Sequence, residues 1–194
     1  MKNFKISAVL FLVLAAISCK KEESTTITEN PMKATIAAKT VVDSFYTYQY
    51  SDFEAGFRFY PSRDGKINKL GCQMRSKGNY LVSLWDFTTE ALIASTTVNV
   101  TDTTSFFYNT ISDVPIVANK NYVVSILIPS GNYYNVYFKK PTVAGASIYP
   151  FTKGNITIVD RRDALDNPTP SFPTNVDFQW SIIGVPDIQF EYTE

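Results

Sequence analysis

The sequence contains no histidine. That absence removes Ser-His-Asp and Cys-His nucleophile systems, the usual zinc sites, and the side chain that most often serves as a general base near neutral pH. Cysteine is limited to Cys19 and Cys72, so no disulfide framework is expected. Glycine is scarce, at eight of 194 residues, and no Gly-rich loop follows a strand and opens a helix, which leaves nucleotide chemistry without support. Neither sign of charge prevails, with 18 Lys and Arg against 18 Asp and Glu, so nothing holds nucleic acid electrostatically. What survives is carboxylate chemistry, which needs only two acids about 5 to 10 Å apart in a cleft. Glu54, Asp86, Asp102 and Asp177 qualify equally and none stands out, so the chain is expected not to be an enzyme.

Long apolar runs are missing too, apart from Ile6 to Ile17, which is interrupted only by Ser7 and preceded by Lys2 and Lys5. A run of twelve residues falls short of the roughly 18 to 20 that cross a bilayer as a helix, so residues 1–18 read as a cleaved signal peptide. Its end, Ala16-Ile17-Ser18-Cys19, resembles the lipobox of bacterial lipoproteins, with alanine where leucine is preferred. That resemblance implies lipid on Cys19 and a membrane as partner. Removing Lys2 and Lys5 leaves a net charge of about −2. The charged and Ser/Thr-rich residues that follow lack apolar surface to bury, so 19–40 is expected to be a flexible tether. Lys20-Lys21-Glu22-Glu23 is similar to the segment after the cysteine in Bacteroidetes lipoproteins, which implies an outer-membrane setting with surface exposure.

From Phe45 onward, short runs rich in Val, Ile, Thr, Tyr and Phe recur about every ten residues between Gly, Asn, Asp and Pro signals. This predicts a single all-β domain over 41–194, an antiparallel β-sandwich of jelly-roll or immunoglobulin-like kind. Phe53, Ala55, Phe57 and Phe59 alternate with Glu54, Gly56, Arg58 and Tyr60, so the first set is expected in the core and the second in water. Cys72 alternates with Leu70 and Met74, as expected of a buried, inert thiol. Further strands are expected over 66–74, 80–86, 92–100, 105–109, 122–128, 133–138, 156–159, 176–183 and 188–192. Ala34, Ala37, Ala38 and Val41 allow a helical turn or two between Asn30 and Val42, against which Pro31 and β-branched neighbours weigh. Two long connections, 139–155 and 160–175, interrupt the rhythm, and loops of that length often carry function.

Gly56-Phe57-Arg58-Phe59-Tyr60, Asp64-Gly65-Lys66-Ile67 and Val82-Ser83-Leu84-Trp85-Asp86 resemble a bacterial family of unknown function. The likeness continues through Val114-Pro115-Ile116-Val117-Ala118-Asn119, Pro129-Ser130-Gly131-Asn132-Tyr133 and Phe172-Pro173-Thr174. It implies a β-sandwich in a secreted or surface protein, a setting sometimes shared with carbohydrate-active enzymes, and no activity. The family's glycine-rich loop before Phe-Pro is replaced here by Asp160-Arg161-Arg162-Asp163, and its usual final strand by Asp187 to Tyr192.

Tyrosines are the most informative candidates. Tyr46, Tyr48 and Tyr50 share one strand face, and Tyr133, Tyr134 and Tyr137 crowd a second hairpin. A tyrosine ring beside Asn, Gln or Arg suits the apolar face and hydroxyl edge of a sugar, and equally a protein surface or the core itself. Trp85 and Trp180 are expected in the core, the latter with Phe178 and Ile182 on an inward face. Asp160, Asp163 and Asp166 supply hard oxygens that calcium accepts, but Arg161 and Arg162 among them favour ion pairs over a metal, and no cofactor is expected. The function read from these features is a lipid-anchored, non-catalytic surface module binding a glycan or matrix polymer. The alternative is a structural or adhesive envelope subunit that docks a protein partner, with Asp187 to Glu194 as a detachable terminal strand.

Overall fold

A computed structural model describes residues 24–140 and 146–194. Residues 1–23, which include the expected signal peptide and Cys19, lie outside the described residues. The chain runs β1 (Thr26–Glu29), α1 (Pro31–Ala38), β2 (Ser44–Gln49), β3 (Phe53–Pro61), β4 (Gly65–Cys72), β5 (Gly78–Asp86), β6 (Leu92–Val100) and β7 (Phe107–Ile116). It continues through β8 (Tyr122–Ile128), β9 (Tyr133–Phe138), β10 (Phe151–Lys153), β11 (Ile156–Leu165), β12 (Ser181–Ile183) and β13 (Pro186–Thr193). All ladders between these strands are antiparallel. The molecule is an all-β sandwich, as the strand rhythm predicts.

One layer is the six-stranded sheet β10-β11-β3-β8-β5-β6. The opposite layer is divided between the four-stranded sheet β1-β13-β4-β7 and the three-stranded sheet β12-β9-β2. Backbone bonds from Gln73 N–H to Val185 O (3.1 Å) and from Arg75 N–H to Tyr133 O (3.2 Å) join those two. Strand alternation fills the space between layers: Phe57 and Phe59 of β3, Val124 and Ile126 of β8, and Val82 and Leu84 of β5 meet Ile67, Leu70, Ile188, Phe190 and Val136 in one apolar cluster. Cys72 lies in this cluster, fully buried, and burial pushes its thiol up to about 12.

The fold begins earlier than expected. The tether expected over 19–40 is ordered from Thr26, where β1 pairs with the C-terminal strand β13. A two-turn helix follows, which its weak local pattern left open. Pro31 opens it, where a missing N–H costs nothing. Its cap comes from 155 residues away: Met32 and Lys33 N–H each donate to a carboxylate oxygen of Asp187 at 3.0 Å. Asp187 also accepts from the Tyr108 hydroxyl at 2.7 Å. Strand β13 therefore lies between β1 and β4 and holds the helix, a position at odds with a detachable terminal strand.

Other expectations are corrected by the same register. β11 runs to Leu165, so Asp160 and Asp163 sit on a strand and the long loop shrinks to 166–175. The first connection contains β10, and its residues 141–145 lie outside the described ones. β7 extends to Ile116, whereas the strand expected over 176–183 is regular only at Ser181–Ile183. On β3 the expected wet face is dry at Glu54 and Gly56. The 166–175 segment accounts for this: it is tied back by a backbone bridge between Asp163 and Asn175, and Phe172 meets Trp85 edge-on at 6.1 Å over that face.

Candidate functional site

β2 is the outermost strand of its sheet and, from Phe45 onward, is exposed along its length. Alternation places Tyr46, Tyr48 and Tyr50 on one face, 45%, 49% and 43% exposed. These three rings form one wall of a groove of about 400 Å³. Tyr134 and Val136 of β9, Ile183 of β12 and Phe53 of β3 also line it, and Arg161, Leu165, Phe178 and Trp180 complete it. Tyr48 meets Tyr134 edge-on at 6.1 Å and Tyr50 meets Phe53 edge-on at 6.2 Å, so the exposed rings are braced by buried ones.

A β-bulge supplies the groove's charged group. Before it Ile158 faces Phe59 of the core, and after it Asp160 pairs with Arg58, leaving Val159 as the extra residue. The inserted residue reverses the alternation, turning Arg161 and Asp163 inward beside Phe57 and Ala55. Arg161 is 3% exposed. Its guanidinium lies 2.7 Å from Asp163 Oδ2, donates to the Asp177 carbonyl at 2.9 Å, and sits 5.4 Å from the Phe178 ring. The Gln179 side chain exchanges two 3.0 Å bonds with the Arg161 backbone, fastening the irregular 176–180 segment to β11. Burial raises the Asp163 carboxyl above its ordinary range, and the Arg161 charge opposes the rise.

The groove gathers four of the six candidate tyrosines: Tyr46, Tyr48, Tyr50 and Tyr134. Tyr134 is only 3% exposed, so it presents the edge of a core ring. Tyr137 is buried on the other face of β9, where its hydroxyl donates to Gln73 at 2.7 Å and accepts from Asn135 at 2.8 Å. Tyr133 is exposed but stands apart from the groove. Trp180 is half-buried at the groove rather than in the core, and Phe178, expected inward, is 57% exposed at a positive φ of 53°. Sequence reasoning missed Arg161, Leu165 and Phe178, because a bulge and a left-handed residue both break the period-two pattern.

The candidate metal acids do not converge. Asp160 faces outward between Arg58 at 2.6 Å and Arg162 at 3.0 Å, Asp163 faces inward, and Asp166 accepts from the Ser51 hydroxyl at 2.6 Å. Among the described residues no group of three or more His, Cys, Asp and Glu side chains is placed to hold a metal ion. Asp86 pairs with Lys120 at 2.6 Å and accepts turn N–H groups of Thr88 and Thr89, which lowers its carboxyl to about 2. Asp102 accepts the N–H groups of Thr104 and Ser105 with the same result. Both serve as turn caps.

Glu54 is different. It is fully buried on the outer side of β3, beneath the 166–175 segment. Trp85 Nε1–H donates to Ser125 Oγ at 2.7 Å, and that hydroxyl donates to Glu54 Oε1 at 2.5 Å. Register explains the contact: Gly56, Ser125 and Ser83 face one another across three strands, a row of small residues over which larger neighbours reach. Gly56 has no substitute there, because a β-carbon would overlap the Val124 carbonyl oxygen. Beside this row Arg58 and Arg162 lie over the Phe87 ring at 4.7 and 4.8 Å, their charges joined through Asp160.

Comparison with curated proteins gives no match. Residues 39–176 match the model of a family described as a domain of unknown function, DUF4082. The match covers β2 through β11, including the tyrosine strand, the Glu54 row and the Val159 bulge, and it ends before Phe178 and Trp180. More than half of the chain is matched, and the protein belongs to the DUF4082 family.

Proposed function

We propose that this chain is a non-catalytic binding module, held at the bacterial outer membrane by lipid on Cys19, that takes a glycan or matrix polymer in the tyrosine groove. One observation carries the reading: three half-exposed tyrosines stand in a row along an edge strand above an apolar floor, braced by buried aromatics. Leaving such rings half in water forgoes the rest of their burial, about 1 kcal/mol each, so a surface that keeps three together is poised to gain that energy from a ligand. Ring faces supply apolar contact, and the tyrosine hydroxyls supply the polar edge.

Polysaccharides of plant, host and bacterial origin, tested by affinity electrophoresis and glycan array, check the ligand class. Retardation by at least one polymer, lost in Tyr48→Ala and in Trp180→Ala but kept in Tyr133→Ala, is the expected result. Absence of binding across the panel, or loss in Tyr133→Ala alone, refutes it. Anchoring has a separate check, since metabolic labelling with a fatty-acid analogue must mark the protein and must fail in Cys19→Ala.

A further inference from the structure

We propose that β2 is the interface of a two-fold homodimer, in which the strand pairs antiparallel with β2 of a second copy. The strand Ser44–Gln49 has no charged residue, no proline and no irregularity in its ladder with β9, and no described strand pairs with its other side. Edges of that kind are open templates for pairing. The remaining edges in this molecule are protected. β1 is four residues long and ends in Glu29, and β10 and β12 have three residues each. β7 carries Asp113 and Pro115. β6 is long and uncharged, but Asn109 of β7 donates to its Thr97 carbonyl at 3.1 Å and its Thr96 hydroxyl at 3.0 Å. Only β2 lacks such a guard among the described strands.

Charge at the two ends of β2 names the occupant. At its start Asp43 is surrounded by lysines: it pairs with Lys139 at 3.3 Å, accepts the backbone N–H of Lys140, and Lys139 also reaches the carbonyl of Lys39. Its far end carries Asp52 and Asp166. An antiparallel second copy lays the lysine end of one strand on the aspartate end of the other, twice over, whereas parallel pairing opposes like charges. The symmetry axis of such a pair is normal to the sheet, so Tyr46, Tyr48 and Tyr50 of both copies emerge on one side. Two grooves then lie in a single track, and a polymer spanning both gains affinity by holding two sites at once. The pairing itself does not depend on what the groove binds.

Thr47 lies on the face away from the groove at the centre of the strand, so Thr47→Lys sets two like charges across the axis and leaves the groove intact. Sedimentation velocity on the full chain in detergent is expected to show a dimer that becomes a monomer in Thr47→Lys, with cooperative thermal unfolding retained and only the stabilisation due to dimerisation lost. Lys140→Glu is expected to weaken the dimer and to make the remaining association rise with salt. A second measurement covers misfolding of the lysine variant. Thr47→Cys is expected to cross-link two copies under mild oxidation, and Asn99→Cys on β6 is not. A wild-type monomer at every concentration, a dimer that persists in Thr47→Lys, or no cross-link through position 47 overturns the proposal. Retained polymer binding by a monomeric Thr47→Lys separates the fate of the dimer from that of the groove's function.

Discussion

Glu54→Gln should make this protein more stable at mildly alkaline pH and no more stable in acid. Glu54 is fully buried and accepts from Ser125 Oγ and from the backbone N–H of Ser171, while Oε2 has no partner among the described residues. Desolvation outweighs the two bonds and pushes the carboxyl up to about 7, from 4.5 in the unfolded chain. The nearest charges on that face do not neutralise it, because Arg58 is engaged with Asp160 at 2.6 Å. The folded state therefore binds the Glu54 proton more tightly than the unfolded state. The stability it brings is complete below pH 4.5 and is lost as pH rises through 7.

At about 1.4 kcal/mol per pKa unit, the loss between roughly pH 4.5 and 8 is about 3 kcal/mol. Glutamine reproduces the neutral acid: its carbonyl accepts from Ser125 and its amide occupies the Oε2 position without charge. Urea denaturation at steps from about pH 5 to 8 should show wild type falling steadily and Glu54→Gln falling less. The gap at the alkaline end should approach 3 kcal/mol, or about 6 to 12 °C in melting temperature for a domain of this size. Asp187 works in the same direction, raised by burial from 3.8 to about 6, so Glu54→Gln flattens the profile without levelling it. If the wild-type and variant curves run parallel across this range, Glu54 is ionised at no cost and the reasoning fails.

Removing the distant cap by Asp187→Ala strands the N–H groups of Met32 and Lys33 and the Tyr108 hydroxyl; a cost of about 3 kcal/mol or more is expected by chemical denaturation, with faster hydrogen exchange in Met32 to Thr35 than in β8. Gly56→Ala drives a methyl into the β8 backbone and should cost about 3 kcal/mol or prevent folding, whereas Gly131→Ala, at a positive φ of 84° in an open turn, should cost about 1 kcal/mol. Arg161→Met leaves Asp163 buried without its 2.7 Å partner and should cost about 3 to 5 kcal/mol, much of it recovered in the Arg161→Met/Asp163→Asn double variant, as a double-mutant cycle by thermal denaturation would read. Polymer binding in that double variant should still be weakened, since Phe178 loses the guanidinium beside it.

The sandwich was legible because its strands obey period two over most of their length: Phe53, Ala55, Phe57 and Phe59 are buried as the alternation requires. What the alternation cannot convey is a second covering. Glu54 and Gly56 belong to the half of β3 that a two-layer sandwich leaves wet, and they are dry because 166–175 folds back over them. Nothing near residue 54 encodes that segment. The helix was hidden for a related reason, since its cap is Asp187 and its own residues bury only Pro31, Met32 and Thr35. Both features are closed by contacts from residues more than 100 positions away, and no local window contains them.

The groove divides along the same line. Its tyrosine wall was readable, because Tyr46, Tyr48 and Tyr50 follow strict alternation on a strand that no described strand flanks on its far side. Its opposite wall depends on two departures from that alternation: the Val159 bulge that turns Arg161 inward, and the left-handed Phe178 that swings a ring out from what reads as an inward run. Each departure costs backbone regularity, and each is held by side-chain bonds, Arg161 to Asp163 and Asp177, and Gln179 to the Arg161 backbone. Irregularity that is fastened in this way is positioned rather than loose. The family match reaches the bulge but stops short of Phe178 and Trp180. The tyrosine strand and the bulge thus fall within the matched span, while Phe178 and Trp180, beyond it, finish the groove.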